Sequence, residues 1–291
     1  MKIKKYKNNQ YILGGGIWIR DFAFPDCKVS INVSRMYNPE DYGLIVQNEQ
    51  LNRTLPKIAD ENLRFKKVLI VSDGYNFNIR HQLIEKMPKD VCVLAVNGAL
   101  RDWKLIGKRS INAYVVNNPY KESLSCLPRH KYYPVCVSSV RTNHSFVKSY
   151  KNDVYVYCPT PESSFGTEFT EKYYLDDYRS PVCAAIGLAY QFGVEKLMLM
   201  CCDESFDKER DFAVKLPNGL WTYPQHLKSR AIIDANLYWL THQKEKEVSV
   251  VDFSDGGDYL NASYINDEKD ALNFFGEEPN GTKQEIVSSG L

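Results

Sequence analysis

The sequence contains no run of about 18 apolar residues, so no segment is built to cross a bilayer as a helix. It has almost no net charge: 37 Lys and Arg stand against 36 Asp and Glu, leaving +1. That balance excludes nucleic-acid or membrane binding driven by a whole-surface field, while leaving room for a local basic patch. None of the cysteines (Cys27, Cys92, Cys126, Cys136, Cys158, Cys183, Cys201, Cys202) stands in CxxC spacing, and most fall inside expected strands or a helix. They read as small buried hydrophobes of a reducing cytosol rather than as a disulfide framework or zinc site. Neither G-x-G-x-x-G nor a P-loop occurs. The basic start, MKIKKYKNNQYILGGG, lacks an apolar stretch long enough for a signal peptide, so a cytoplasmic protein is expected. Without such a signal the sequons Asn32-Val33-Ser34 and Asn280-Gly281-Thr282 carry little weight. No internal repeat is present.

What is there is the grammar of an α/β domain. The 291 residues, 44% hydrophobic and 25% charged, suffice for one large domain with a small appendage. Seven short apolar runs follow Phe65: KVLIVS (67–72), VCVLAV (91–96), INAYVV (111–116), PVCVSS (134–139), DVYVYC (153–158), KLMLMC (196–201) and VSVVDF (248–253). Apolar on both faces, they suit the centre of a parallel sheet. Helical patterns alternate with them. IRHQLIEKM (79–87) follows Asn78, a good N-cap; PVCAAIGLAYQFG (181–193) opens on Pro and closes on Gly. HLKSRAIIDANLYWLTHQ (226–243) places Leu227, Ala231, Ile232, Ala235 and Trp239 in one stripe, the pattern of core packing. The expected fold is a doubly wound, mostly parallel, seven-stranded Rossmann-like sheet. Residues 1–60 read as an appendage with short strands, 61–266 as the nucleotide-binding catalytic domain with a lid at about 204–225, and 267–291 as a fraying tail.

In such sheets ligands bind beyond the carboxyl ends of the strands, so the residues standing there matter most. The first core strand ends Ser72-Asp73-Gly74, where glycine keeps the backbone clear and a helix N-terminus follows: a phosphate or nucleotide contact, or an ordinary tight turn. The second ends in Asn97-Gly98, a base or ribose contact or an Asn-Gly turn. The third ends in Asn117-Asn118-Pro119, with Pro119 holding Asn118 extended. Tyr178-Arg179-Ser180-Pro181 puts an arginine and a hydroxyl beside a helix start, an anion site or a surface arginine beside a Ser cap. Asp203 and Glu204 follow the sixth strand. They suit Mg²⁺ or acid/base work, but equally a solvated loop face, the reading favoured for Glu204. In LPNGLWTYPQHLKSR (216–230), Asn218-Gly219 reads as a turn. Tyr223 and His226 stand at the entry of the long helix, with His226 as a general base or a capping histidine. One polar strand end is noise; three in succession look like a site.

Taken in order, KVLIVSDGYNF and VNGALRDWKLIGKRSINAYVVNNP resemble the opening of the bacterial sialyltransferases of glycosyltransferase family 42. There a Gly-x-Gly-Pro-Ser-Leu turn precedes an Arg-Cys-Asn strand end, a short helix ending in Gly-Lys-Lys and a strand closing in Asn-Pro. YRSPVCAAIGLAYQFGVEKLMLMCCDE resembles their Arg-x-Thr-Ser-Gly turn, alanine-rich helix and strand ending in aspartate. VKLPNGLWTYPQHLKSR also resembles the motility accessory factor proteins and the archaeal 6-hydroxymethylpterin pyrophosphokinase-like proteins. The similarity spans roughly residues 66–255.

The resemblance implies a single Rossmann-like domain of the GT-A-variant kind with a lid, binding a CMP-linked sugar with no obligatory metal. Asp73, Gly74, Asn97 and Asn118 would hold the nucleotide, Ser180 would face phosphate, Arg179 would support the site, and Asp203 would stand at the reacting centre. His226 would take the proton of an acceptor hydroxyl. The departures are specific. Asp73 replaces a usual Asn, Tyr75-Asn76 replace Pro-Ser, and no tyrosine pair for the leaving phosphate is found, Tyr223 being the substitute contact. The expected function is therefore transfer of a sugar from a nucleotide-activated donor to an acceptor hydroxyl of unread identity: glycan, protein, lipid or modified nucleobase. Two alternatives accompany it. One is a pyrophosphokinase-like transfer from ATP with Mg²⁺ on Asp73, Asp203 and Glu204; the other is a nucleotide-binding module without turnover. Relatives of this kind often assemble, so a homo-oligomer is compatible with the resemblance.

Overall fold

The computed structural model describes residues 4–6, 10–12, 22–24, 27–29, 42–58, 64–101, 111–129, 131, 133–159, 174–175, 180–216, 219–243, 247–255 and 259–276. Near the N-terminus β1 (Lys4–Tyr6) pairs with β2 (Gln10–Ile12), and β3 (Phe22–Phe24) with β4 (Cys27–Val29), both antiparallel. All seven apolar runs then form strands: β5 (Lys67–Val71), β6 (Val91–Val96), β7 (Ala113–Val116), β8 (Val135–Ser139), β9 (Val154–Pro159), β11 (Lys196–Met200) and β14 (Ser249–Phe253). Two short edge strands, β10 (Tyr174–Leu175) and β15 (Ser263–Tyr264), bring the sheet to nine strands rather than the expected seven. At two residues each, they leave no periodicity to read in the sequence. The order is β10-β9-β8-β7-β6-β5-β11-β14-β15, and every neighbouring pair is parallel.

Alternate strand residues feed two separate cores. Val68, Ile70, Cys92, Leu94 and Val96 pack on one face under α5 (Pro181–Phe192) and α6 (Pro224–Thr241). Leu69, Val71, Val93 and Ala95 face the other side. They lie under α2 (Phe77–Arg80), α3 (Gln82–Lys86), α4 (His144–Ser149) and α7 (Glu268–Gly276). Helices on both faces make the sheet doubly wound, and burial on both faces accounts for the unbroken apolar runs. The chain enters at β5, winds outward to β10, returns to β11 on the other flank of β5, and continues to β14 and β15. The reversal of strand order therefore falls between β5 and β11, and the crevice beyond their carboxyl ends is where this topology places a ligand.

Helix boundaries differ from the sequence expectation in instructive ways. The 79–87 helix begins at Phe77 and breaks at His81 into α2 and α3; Asn78 lies inside it, and Asn76, at φ +62°, is the N-cap. The Asn76 side chain is drawn away to the Asp255 carboxylate, which also holds Arg80. Helix α5 follows expectation, with Pro181 at its start and Gly193 at φ +83° closing it. Helix α6 starts earlier than expected, at Pro224, so His226 sits in its first turn. Its buried stripe is Ile232, Ile233, Leu237 and Leu240, whereas Ala231, Ala235 and Trp239 are only half-buried. The segment expected to fray from Asp267 carries α7, which buries Ala271 and Phe275; the Lys196 ammonium donates to Phe274 O at 2.9 Å.

Helix α1 (Tyr42–Asn52), inside the poorly legible 1–60 stretch, fastens the loops beyond β7 and β8. Asn48 Nδ2 donates to Pro119 O at 3.1 Å and Arg141 O at 3.2 Å; Asn52 Nδ2 donates to Val140 O at 3.0 Å and Thr142 O at 2.7 Å. A buried ion pair, Arg141 Nε to Glu49 Oε1 at 2.6 Å, completes the attachment. Backbone carbonyls of two irregular loops thus find partners they would otherwise lack away from water. Cys92, Cys136, Cys158, Cys183, Cys201 and Cys202 are buried, and Cys126 is half-buried.

Candidate functional site

At the switch point the β5–β11 ladder runs past the strands: Ser72 N–H donates to Met200 O and Gly74 N–H to Cys201 O, each at 3.0 Å. The close approach depends on glycine. A methyl group at Gly74 would stand 2.4 Å from both Asp203 Oδ1 and Cys201 O. The neighbouring strand end, rather than open space, therefore fills the position that a side chain at residue 74 would take. The same device recurs one strand over, where a methyl group at Gly98 would lie 2.1 Å from Asp73 Oδ2.

Asp73 faces the crevice and is open to solvent on that side. Packing around it raises its pKa above the usual aspartate value; N–H groups of its own backbone and of Gly98, and the nearby Arg101 guanidinium, act against that rise. Asn97, at φ +53°, donates from Nδ2 to Ser72 Oγ at 3.3 Å, and its carbonyl accepts from the Tyr114 hydroxyl at 2.9 Å. The ends of β5 and β6 are thus tied together by the residues expected to hold a nucleotide. Asn118 is committed locally: its Oδ1 accepts from Tyr120 N–H at 2.9 Å. Its neighbour Asn117 is the buried one, with an Nδ2 that finds no protein partner. Ser180, at the N-cap of α5, is 3% exposed, and its hydroxyl makes neither the capping bond nor any other. Arg179 lies outside the described residues.

Asp203 and Glu204 are not on a solvated face. Asp203 is 0% exposed, its Oδ2 accepts from the Ser205 hydroxyl, and its Oδ1 has no partner. Its pKa is raised, by burial first, against the Ser205 hydrogen bond and the Arg230 charge. Glu204 takes φ +50°, left-handed for a residue with a side chain, and its Oε2 is sealed from solvent without a partner. Burial pushes its carboxyl up to about 7; a Ser229 hydrogen bond opposes this and the Asp73 charge adds to it.

The Glu204 carbonyl is as engaged as the carboxyl is isolated. It accepts from Thr222 Oγ1 at 2.8 Å and stands 3.2 Å from His226 Nδ1. A carbonyl only accepts, so His226 carries its proton on Nδ1 and presents Nε2 as a lone pair. Burial lowers the His226 pKa below 6.5, and the Glu204 carbonyl opposes the shift. Tyr223 packs edge-on against the imidazole, centroids 5.4 Å apart, and against Phe206 at 5.1 Å. The strip between Glu204 and Tyr223 folds back on itself. Phe206 and Trp221 exchange backbone bonds of 2.9 and 2.8 Å, and β12 (Val214–Lys215) pairs with β13 (Trp221–Thr222). Gly219, at φ +88°, turns the chain between the last two; Asn218 is outside the described residues.

Three participants escaped the sequence reading. Arg230 is buried on α6 and donates to Asp203 O at 3.3 Å. Tyr259 donates from its hydroxyl to Cys202 O at 2.8 Å. Asp252, on β14, is 1% exposed, and burial pushes its pKa up to about 7, with the Ser254 hydroxyl acting against the rise. Asp252 had a signal: an acid in the otherwise apolar run VSVVDF, on the α6 side of the sheet. Among the described residues no three His, Cys, Asp or Glu side chains form a group able to hold a metal. No helix among the described residues is long and apolar enough to cross a membrane.

The fold is similar to that of the MAf glycosyltransferase from Magnetospirillum magneticum AMB-1, with a TM-score of 0.56 at 15% identity over 83% of this chain and 43% of that one. The chain therefore spans less than half the length of that protein. A more distant likeness, TM-score 0.39 at 14% identity over 70% of this chain and 86% of the other, is to the sialyltransferase CstII from Campylobacter jejuni in complex with the substrate analogue cytidine-5'-monophosphate. No protein-family model and no curated protein matches the chain. At 15% identity the likeness to the MAf glycosyltransferase shows a shared fold and nothing finer.

Proposed function

We propose that the chain is a glycosyltransferase that moves a sugar from a nucleotide-activated donor, CMP-linked by the sequence resemblance, to an acceptor hydroxyl, with His226 as the general base. The observation that carries this reading is the state of His226 beside the switch-point crevice. Its Nδ1 is held on the Glu204 carbonyl, so Nε2 is the nitrogen left as an acceptor, and its lowered pKa keeps it neutral at physiological pH. A neutral imidazole of fixed tautomer is what abstraction of a hydroxyl proton requires.

The rest of the crevice supports the same reading. Asp73 and Asn97 offer acceptor and amide groups suited to ribose hydroxyls or a base edge. Ser180 and the first N–H groups of α5 offer donors and a positive dipole end to a phosphate, meeting charge that develops as the donor bond breaks. Tyr223, beside the base, is the side-chain contact assigned to the leaving group. No step in this reading is assigned to a metal.

Replacing His226 with Ala should lower transfer by about 10²–10⁴-fold while leaving nucleotide binding nearly intact. Thermal-shift screening against CMP, UDP, GDP, ATP and their sugars, with and without Mg²⁺, identifies the donor used in that assay. Unchanged turnover in the His226→Ala chain would refute the assignment.

A further inference from the structure

Glu204 combines three features that the proposed reaction does not by itself require. Its backbone is left-handed at φ +50°, a conformation that costs a side-chain-bearing residue about 1–2 kcal/mol. Its carbonyl receives two donors, Thr222 Oγ1 and His226 Nδ1. Its Oε2 is shut away from solvent with no hydrogen-bond partner. The carbonyl can point at His226 only while the backbone keeps this turn, and the turn keeps the carboxyl in its sealed position.

We propose that Glu204 is the positioning residue of the base: while its carboxyl stays sealed and uncharged, the backbone carbonyl fixes the His226 tautomer, and ionisation of that carboxyl opens the turn and releases the imidazole. This rests on the reading of His226 as the base, and it adds a second side chain that controls it. The physical reason is solvation. A neutral carboxyl tolerates an Oε2 that has no donor, whereas a carboxylate demands hydrogen bonds at both of its oxygens. The groups facing Glu204 come from every neighbouring element. Asp73 beyond β5 and Asp203 beside it disfavour its charged form, Ser229 and Arg230 on α6 favour it, and the neutral Tyr259 phenol lies near it after β14. His226, on the same helix, meets Glu204 through the carbonyl. Burial outweighs the favourable contacts, in keeping with a carboxyl raised to about 7. Once ionised, Glu204 gains water only if the left-handed turn relaxes, and the carbonyl moves with it.

The test uses the unliganded chain. Nitrogen–proton correlation spectra of the His226 ring, assigned by its absence in His226→Ala, report which nitrogen carries the proton from pH 6 to pH 9. The native chain should show the Nδ1–H tautomer at the lower end and lose it as the pH passes through about 7. Glu204→Gln, an uncharged isostere, should keep that tautomer to pH 9. Glu204→Gly, which favours the left-handed backbone without a carboxyl, should do the same and provides a second variant if the first folds poorly. A native tautomer unchanged across the range would overturn the proposal, as would its loss at the same pH in all three chains. Transfer assays on His226→Ala decide the reading beneath it separately. Unchanged turnover there with tautomer control intact refutes the base but not the control, and the converse pair of results refutes the control alone.

Discussion

Substituting Ala for Gly74 tests whether two strand ends meet in close contact at the switch point. The added Cβ would sit 2.4 Å from the carbonyl oxygen of Cys201 and 2.4 Å from Asp203 Oδ1, where ordinary contact begins at 3.4 Å. Each oxygen must therefore retreat by about 1 Å. The first belongs to a backbone already accepting the Gly74 N–H, and the second to a fully buried side chain held by Ser205, so neither yields cheaply. Overpacking of this kind costs about 1–3 kcal/mol, equivalent to a fall in melting temperature of roughly 2–10 °C for a chain of this size. Two companions isolate the cause. Gly43→Ala, in α1, meets nothing within 4 Å and should melt as the native chain or slightly higher. Gly98→Ala presses on Asp73 Oδ2, the far end of a side chain with room to swing into the open crevice, so it should cost little stability but weaken nucleotide binding. Differential scanning calorimetry of the three chains decides the matter. If Gly74→Ala melts with the native protein, the strand ends are not in the contact described.

The remaining expectations concern charge. Glu49→Ala removes the buried carboxylate that Arg141 Nε meets and should destabilise the protein by about 3–5 kcal/mol in urea; a change within measurement error would mean that α1 is not docked. Asp252 has a raised folded pKa, so between its ordinary value of 3.8 and about 7 the folded chain holds a proton that the unfolded chain has released, and stability falls as pH rises through that window. Asp252→Asn should accordingly be more stable than the native chain at pH 8, by an amount on the order of 2–4 kcal/mol, with the gain fading toward pH 4; equal gains at both pH values would refute this. His226 has the opposite shift for its type. Its neutral form persists below pH 6.5, and the acid limb of kcat/KM should fall below that value, as should its NMR titration. Ser180→Ala removes a hydroxyl that bonds to nothing in the protein, so melting should hold or rise while nucleotide affinity drops.

Much of the frame was legible because burial on both faces of a parallel sheet leaves an unmistakable run, and KVLIV, VCVLAV and KLMLM can be little else. Helix α5 was legible at both ends because Pro181 and Gly193 act through backbone geometry that sequence displays directly. The start of α2 was not. Asn76 and Asn78 are equally good caps in isolation, and the choice is made by Asp255, distant in sequence, which draws in the Asn76 amide. The same holds for α1, where Asn48, Glu49 and Asn52 look like the polar face of a surface helix until Pro119, Arg141 and Thr142 arrive beneath them. At the site, strand-end residues were found because topology alone says where to look. Their partners were not, because the use of Gly74 and Gly98 lies in what stands opposite them, and no local pattern records that.

The composition of the crevice raises an electrostatic question that its burial answers. Asp73, Asp203, Glu204 and Asp252 gather beyond or within β5, β11 and β14; four carboxylates there would repel the phosphate of any nucleotide donor. Yet burial is the largest influence on each and raises all four pKa values, while Arg230 sits close enough to act on Asp203, Glu204 and Asp252. Near neutral pH Glu204 and Asp252, both raised to about 7, hold much of their protons, so the crevice is less negative than its sequence. What remains for an anion is the donor-rich side: Ser180 and the start of α5. Asp73, the most open of the four, is then placed to accept hydroxyl or amino groups rather than to meet phosphate. The carboxyl-rich and donor-rich sides of one crevice would thus divide a nucleotide between them, sugar or base toward Asp73 and phosphate toward α5. Raising the pH through about 7 should weaken nucleotide binding through Glu204 and Asp252.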